Sequence, residues 1–223
     1  MTRLKKRIGI LISGRGSNMK SLVEACRRKE FPAEVVCVLS NNPKAEGAAW
    51  AQSRSLPTIV LDHTSYKDRP SFENDLQAAL QKFDVEIICL AGFMRLLSQN
   101  FVRRWENRIL NIHPSLLPAF KGLNTHQRVL KENVKFTGCT VHIVEPAMDE
   151  GPILGQAVVP VLPQDTEESL AVRVLDAEHQ LYPKILELFS RGDILLKEGK
   201  ISYPFTINAS GAWYHPPLKS PKN

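Results

Sequence analysis

The segment Ile109-Leu110-Asn111-Ile112-His113-Pro114-Ser115-Leu116-Leu117-Pro118 carries the strongest chemical signal in this 223-residue sequence. Side chains alternate with a period of two along an extended segment, so Asn111 and His113 fall on one face at its end. Pro114 restricts the residue before it to extended backbone, which fixes the direction of the His113 side chain. An amide donor and an imidazole then converge on one point. That pairing suits a carbonyl oxygen that becomes negative during reaction, with imidazolium as donor or acid. The competing interpretation is a histidine packed at a strand end and bonded to its neighbours.

The second candidate is the glycine loop Ser13-Gly14-Arg15-Gly16-Ser17-Asn18, which follows a β-branched run and opens a helical pattern. Backbone N–H groups at such a helix start, with the positive end of its dipole, form an anion site. Ser17 and Asn18 add side-chain donors or a cap. The third glycine of a dinucleotide fingerprint would fall at Met19, and the second apolar run ends in Ser40-Asn41-Asn42 with no acid to hold a ribose. No G-K-[ST] follows. A single phosphate fits this loop; a glycine turn needed only for tight packing is the alternative. The third candidate is Glu145-Pro146-Ala147-Met148-Asp149-Glu150-Gly151-Pro152, a turn-rich stretch between two strand patterns, where function is often carried. An acid there is by default solvated; one placed beside an imidazole favours the charged ring.

These segments need elements to position them. Apolar runs at Arg7–Ile12, Glu34–Leu39, Thr58–Leu61, Val85–Leu90 and Ile109–Ile112 alternate with helical spacing. Met19, Leu22, Val23 and Cys26 give one apolar helix face, and Phe72, Leu76, Ala79 and Leu80 another. The expected fold is α/β, a doubly wound, mostly parallel sheet with helices on both faces and a Rossmann-like first half. After residue 113 the pattern changes to strands at Cys139–Val144 and Gln156–Val161, the latter placed at an edge or strand end by Pro160. A long helix follows from about Thr166 to Arg191, with Thr166 as cap and Glu167-Glu168 in an acidic first turn. Ile194–Lys197 and Lys200–Tyr203 flank a hairpin turn at Glu198-Gly199. The expected organisation is one domain, 1–203, with halves 1–110 and 111–203, and a proline-rich tail, 204–223, pinned by Trp213 and Tyr214. No internal repeat or interdomain linker is present.

Composition narrows the classes. With 43% hydrophobic and 23% charged residues, the chain can build one sizeable core. No apolar run approaches the ~20 residues that cross a bilayer. The basic start Met1-Thr2-Arg3-Leu4-Lys5-Lys6-Arg7 precedes an apolar stretch too short for a signal-peptide core, so a cytoplasmic protein is expected. The net charge of +6 is scattered, without aromatic residues along a basic stripe, and suits anionic small molecules rather than nucleic acid. Cys26, Cys37, Cys89 and Cys139 show no C-x-x-C spacing and read as buried small hydrophobes.

Taken together, the segments resemble the phosphoribosylglycinamide formyltransferase family from about Ile8 to Gly192. The matching stretches are the glycine loop, Leu90-Ala91-Gly92-Phe93-Met94-Arg95, the Asn111–Pro118 block, Met148-Asp149-x-Gly151-Pro152, and Glu178-His179 before Tyr182-Pro183. The Asn-x-His-Pro block is shared by several folate-dependent formyltransferases; the phosphate loop and Glu178 point to this member. The resemblance implies transfer of a formyl group from 10-formyltetrahydrofolate, a co-substrate, to the amine of 5-phosphoribosyl glycinamide in de novo purine biosynthesis. It implies Asn111, His113 and Asp149 as the catalytic centre, with no metal. Gly16, Ser17 and Asn18 would hold the phosphate, and Glu178 the ribose or glycinamide end. Arg69, Met94, Arg95, Leu96, Leu97 and Asn111, with Glu145, Pro146, Ala147, Met148 and Asp149, would line the folate site. The partners implied are these small molecules, with no nucleic acid or membrane, for a monomer or homodimer. Two formyltransferase-like rivals, a methionyl-tRNA formyltransferase and a formyltetrahydrofolate hydrolase, carry an extra domain after or before this core, for which the sequence leaves no room. A non-catalytic nucleotide-binding module is the rival from another class. Arg15 and Asn124 stand where relatives carry Asn and a second His.

Overall fold

The computed structural model describes residues 5–197 and 200–204. The Glu198-Gly199 turn and the tail with Trp213 and Tyr214 lie outside the described residues. The elements are β1 (Lys6–Ile12), α1 (Ser17–Cys26), β2 (Ala33–Ser40), α2 (Glu46–Ser53), β3 (Thr58–Val60), α3 (Arg69–Lys82), β4 (Ile87–Leu90), α4 (Gln99–Arg104), β5 (Ile109–His113), α5 (Thr125–Lys131), β6 (Phe136–Ile143), β7 (Ile153–Pro160), α6 (Glu167–Arg191), β8 (Leu195–Lys197) and β9 (Lys200–Ser202).

Seven strands form one sheet in the order β3-β2-β1-β4-β5-β6-β7, and β8-β9 form a separate antiparallel pair. The first five strands are parallel, while β6 and β7 run antiparallel to their neighbours. The doubly wound, mostly parallel sheet expected from the sequence is therefore present, with its antiparallel addition. Pro160 ends β7, an edge strand, where its missing N–H costs no ladder bond. The chain winds from β1 toward β3 and then returns past β1 to β4. The winding reverses between β1 and β4, the place where open α/β sheets form a crevice at their carboxyl ends.

Alternation along β1 sends Ile8, Ile10 and Ile12 into the larger core cluster, shared with α1 and α6, and Leu11 into the smaller one, shared with α3 and α4. Helix α6 is the longest element. A capping box joins Thr166 and Ser169 at its start, and Glu167 and Glu168 occupy its first turn. It packs on α1, β2, β6 and β7. Its Tyr182 is fully buried, and the hydroxyl sits between the carbonyls of Leu90 and Leu110, 3.1 and 3.0 Å away. One side chain thus ties α6 to the carboxyl end of β4 and to the start of β5. The short helices α2, α4 and α5 were not expected from the sequence. All are of eight residues or fewer, too short to show a helical period.

Candidate active site

Asn111 and His113 occupy the end of β5, His113 being its last residue. Antiparallel pairing with β6 sets Asn111 opposite His142 and His113 opposite Thr140. His142 is buried, and its Nδ1 lies 2.9 Å from the Ile143 carbonyl. The Nδ1–H donates to that carbonyl, which leaves Nε2 as an acceptor. The Asn111 Nδ2 donates to it at 3.1 Å. Burial pushes the His142 pKa down, consistent with a neutral ring in this tautomer.

His113 is also buried, and its Nε2 donates to the Phe120 carbonyl at 3.0 Å. Its other nitrogen, Nδ1, faces the Asp149 carboxylate at 3.5 Å. Asp149 stands in the β6–β7 connection with φ +55, an uncommon conformation that Asp tolerates better than most residues. Its Oδ2 accepts from the Gly122 N–H at 2.9 Å, and its Oδ1 lies 3.8 Å from His142 Nε2. Because His142 Nε2 is an acceptor here, the last approach is proximity and not an ion pair. The loop that supplies Phe120 O and Gly122 N–H is curled by left-handed backbone at Phe120, Gly122 and Asn124. The structure brings together the three residues proposed as catalytic and adds His142, which sequence reasoning counted only as part of a strand. Its signal was present as a histidine in an apolar run, but the partner lies on another strand. A cleft of about 340 Å³ lined by Leu117, Pro118, Lys121, Asp149, Glu150, Gly151 and Ile153 opens beside Asp149.

The glycine loop leaves β1 at the point where the sheet reverses its winding. Gly16 takes φ +70 as the residue before α1, so it provides a turn that a side chain would strain. No side chain caps α1. Ser17 and Asn18 therefore do not act as the cap that was one reading of the sequence. Asn18 is buried and turns the other way, its Nδ2 donating to Glu178 Oε2 at 2.6 Å. Asn18 Oδ1 is buried without a hydrogen-bond partner. Glu178 is buried as well, and desolvation raises its pKa while the Asn18 bond opposes the rise. The N-terminal end of α1 and a carboxyl group from α6 thus lie side by side.

The residues expected to line a folate site fall on three neighbouring segments. Met94, Arg95, Leu96 and Leu97 follow β4; Met94 and Leu96 are 67% and 62% exposed, which excludes ordinary core packing. The Arg95 guanidinium lies 5.8 Å from the centre of the Phe72 ring on α3. Arg69 is exposed in the first turn of the same helix. Glu145, Pro146, Ala147 and Met148 are exposed in the β6–β7 connection, and Met148 Cε lies over Gly122. Among the described residues, no three His, Cys, Asp or Glu side chains group as a metal site. The four cysteines are free and buried. Burial pushes Cys26, Cys37 and Cys139 up to about 12, so none of these is a thiolate at neutral pH.

A mostly parallel sheet with a buried Asn–His–Asp cluster at a strand end and a glycine loop at its winding reversal suits a group-transfer enzyme, and residues 6–186 match the family model "Formyl transferase". The chain is 37% identical to the phosphoribosylglycinamide formyltransferase of Haemophilus influenzae, covering 86% of this chain and 91% of that protein. It superposes on the phosphoribosylglycinamide formyltransferase of Brucella melitensis with a TM-score of 0.81 at 51% identity, over 86% of this chain and 98% of that one. The chain belongs to the phosphoribosylglycinamide formyltransferase family of enzymes. It is also 46% identical over 200 residues to the trifunctional purine biosynthetic protein adenosine-3 of Gallus gallus; there the match spans 89% of this chain but only 20% of that protein.

Proposed function

We propose that this chain transfers the formyl group of 10-formyltetrahydrofolate to the amine of 5-phosphoribosyl glycinamide, within de novo purine biosynthesis. The observation that carries the reading is the cluster itself: His113 Nδ1 stands 3.5 Å from Asp149, and Asn111 lies two residues away on the same strand. The phosphate would lie against the N–H groups that open α1, near Gly16, Ser17 and Asn18. Glu178 and the unpartnered Asn18 Oδ1 would meet the ribose or glycinamide end. The folate would lie against the exposed Met94–Leu97 loop, Arg69 and the Glu145–Met148 segment, reaching Asn111 and Asp149.

The chemistry follows from this placement. The neutral amine attacks the formyl carbon, forming the new C–N bond and a tetrahedral oxyanion. Holding both reactants in line supplies much of the rate. The oxyanion accepts from Asn111 and from protonated His113. His113 Nε2 is already committed to Phe120 O, so the single Nδ1–H, held only loosely by Asp149 at 3.5 Å, is the hydrogen that turns to the oxyanion while the carboxylate stays beside the charged ring. Asp149 receives the amine proton through a water, and the proton passes to the departing folate nitrogen as the old C–N bond breaks. His142 fixes Asn111 by accepting one of its amide hydrogens, leaving the other for the substrate. We place the reaction in a reducing compartment, the cytoplasm being the one expected from the sequence, a reading that the four free cysteines support.

The test supplies 10-formyltetrahydrofolate with and without the ribosyl glycinamide and follows tetrahydrofolate. Release only with the amine is expected. Release without it points to a hydrolase, and no release in either case refutes the assignment.

A further inference from the structure

Every polar group of Ser13 is engaged across the place where the sheet reverses its winding. Its N–H donates to the Gly92 carbonyl at 3.1 Å, and its carbonyl accepts from Asn42 Nδ2 at 3.1 Å. Its hydroxyl donates to Asn41 Oδ1 at 2.5 Å and accepts from the Met94 N–H at 2.7 Å. The order matters: Asn41 takes the hydroxyl hydrogen, so an oxygen lone pair is left facing Met94. Asn41 is only 3% exposed, and a buried amide is costly unless its bonds are used. It is held by its own N–H to Ile12 O and by His63, whose ring Nδ1 lies 2.7 Å from the Asn41 carbonyl.

The loop that Met94 begins is held from the side by Phe93 and Leu97, which pack against the smaller core cluster, and by Arg95 over the Phe72 ring. Met94 and Leu96 are exposed, so apolar burial does not fix the backbone at these two residues. Its far end is anchored where Ser98 N–H donates to the buried Glu73 carboxylate at 2.6 Å. At its near end the Ser13 N–H holds the Gly92 carbonyl and the Ser13 hydroxyl holds the Met94 N–H. The residue after Ser13 opens the phosphate loop, and Gly14 O accepts from Gly47 N–H at 3.0 Å.

We infer that Ser13 is a positioning residue: its hydroxyl holds the folate-facing loop in fixed register with the phosphate loop. The inference rests on the proposed reaction for the identity of the two ligands. Replacing the hydroxyl leaves the backbone bonds of Ser13 intact, so the phosphate loop keeps its shape while Met94 N–H and the buried Asn41 Oδ1 both lose the hydroxyl as partner.

Steady-state kinetics of Ser13→Ala and Ser13→Thr test this, with calorimetric titration of tetrahydrofolate and amide exchange at Met94 by NMR. For Ser13→Ala the expected result is a rise in KM for 10-formyltetrahydrofolate and in the tetrahydrofolate Kd of about tenfold, as for one lost hydrogen bond. kcat at saturation should stay within about threefold, and KM for the ribosyl glycinamide within about twofold. Exchange at Met94 should accelerate, and Ser13→Thr, which keeps a hydroxyl, should restore all three. Unchanged folate affinity overturns the inference, whether or not Met94 exchanges faster. Equal losses for both substrates without rescue by Thr also overturn it, since they report general damage. A wild type without turnover refutes the assigned reaction alone; tetrahydrofolate titration and Met94 exchange then still decide the role of Ser13.

Discussion

At the residue scale, burial decides which groups do chemistry. His113 has both ring nitrogens placed, one on a backbone carbonyl and one toward Asp149. His113→Asn removes the ring that donates to the oxyanion but keeps a polar side chain. It should lower kcat by about 10²–10⁴ while the tetrahydrofolate Kd changes little, measured by single-turnover kinetics and titration. Glu178 yields a prediction about pH. Its folded pKa is raised by desolvation, so the native state holds this proton more tightly than the unfolded chain does. The stability it contributes is full below the ordinary carboxylate value and is lost as pH rises through the raised one. Glu178→Gln has no such loss. The Tm of the variant relative to wild type should therefore climb between pH 4.5 and neutrality, followed by calorimetry across that range. A constant difference would contradict the buried ionisation. Asn111 and His113 were legible because a period of two and the following proline are local facts. Asp149 entered only through the family resemblance. His142 was missed because its bond to Asn111 crosses 31 positions of sequence and depends on β5–β6 register, which no local pattern states.

At the element scale, the long apolar strands and α6 were legible from periodicity, and Thr166 was readable as a cap because its partners are its immediate neighbours. The curled loop from Phe120 to Asn124 was not, since its left-handed residues include a Phe and an Asn with no glycine signature of their own. That loop and the β6–β7 connection hold the Asp149 carboxylate proposed to act in catalysis, and Gly151 controls how closely the second can approach. A Cβ at Gly151 would lie 1.9 Å from the Ile143 carbonyl, the group that accepts from His142 Nδ1. Gly151→Ala must therefore push the connection outward, moving Asp149 and loosening His142. A loss of about 1–3 kcal/mol and a fall in kcat of at least about tenfold are expected, read by urea unfolding and kinetics. Thr166→Ala is the comparison. It removes a cap bond far along the chain from the cluster, costs about 1 kcal/mol, and should leave kcat unchanged. Equal kinetic effects in the two variants would mean that stability alone, and not the placement of Asp149, governs turnover.

At the scale of the whole molecule, the site is assembled from both ends of the chain. Asn18 and Glu178 are 160 positions apart and share a 2.6 Å hydrogen bond. The Tyr182 hydroxyl lies between the carbonyls of Leu90 on β4 and Leu110 on β5, and α6 packs on α1, β2, β6 and β7. One sheet runs without interruption from β3 to β7, so the strand that carries the glycine loop and those that carry the Asn111–His113–Asp149 cluster share their ladders. Opening either part exposes the apolar face of the other, which favours a single cooperative transition. Scanning calorimetry should give one peak with equal calorimetric and van't Hoff enthalpies. Ligand linkage sharpens the test. Ribosyl glycinamide phosphate at a hundred times its Kd should stabilise the protein by about 2.7 kcal/mol. Because its proposed contacts come from α1 and α6 together, the entire peak should move upward. If residues 1–110 instead formed an independent unit, α6 would melt apart from it and the binding site would be lost at the lower transition. The ligand would then raise that transition alone and leave a second one in place, dividing the heat between a moving and a stationary component.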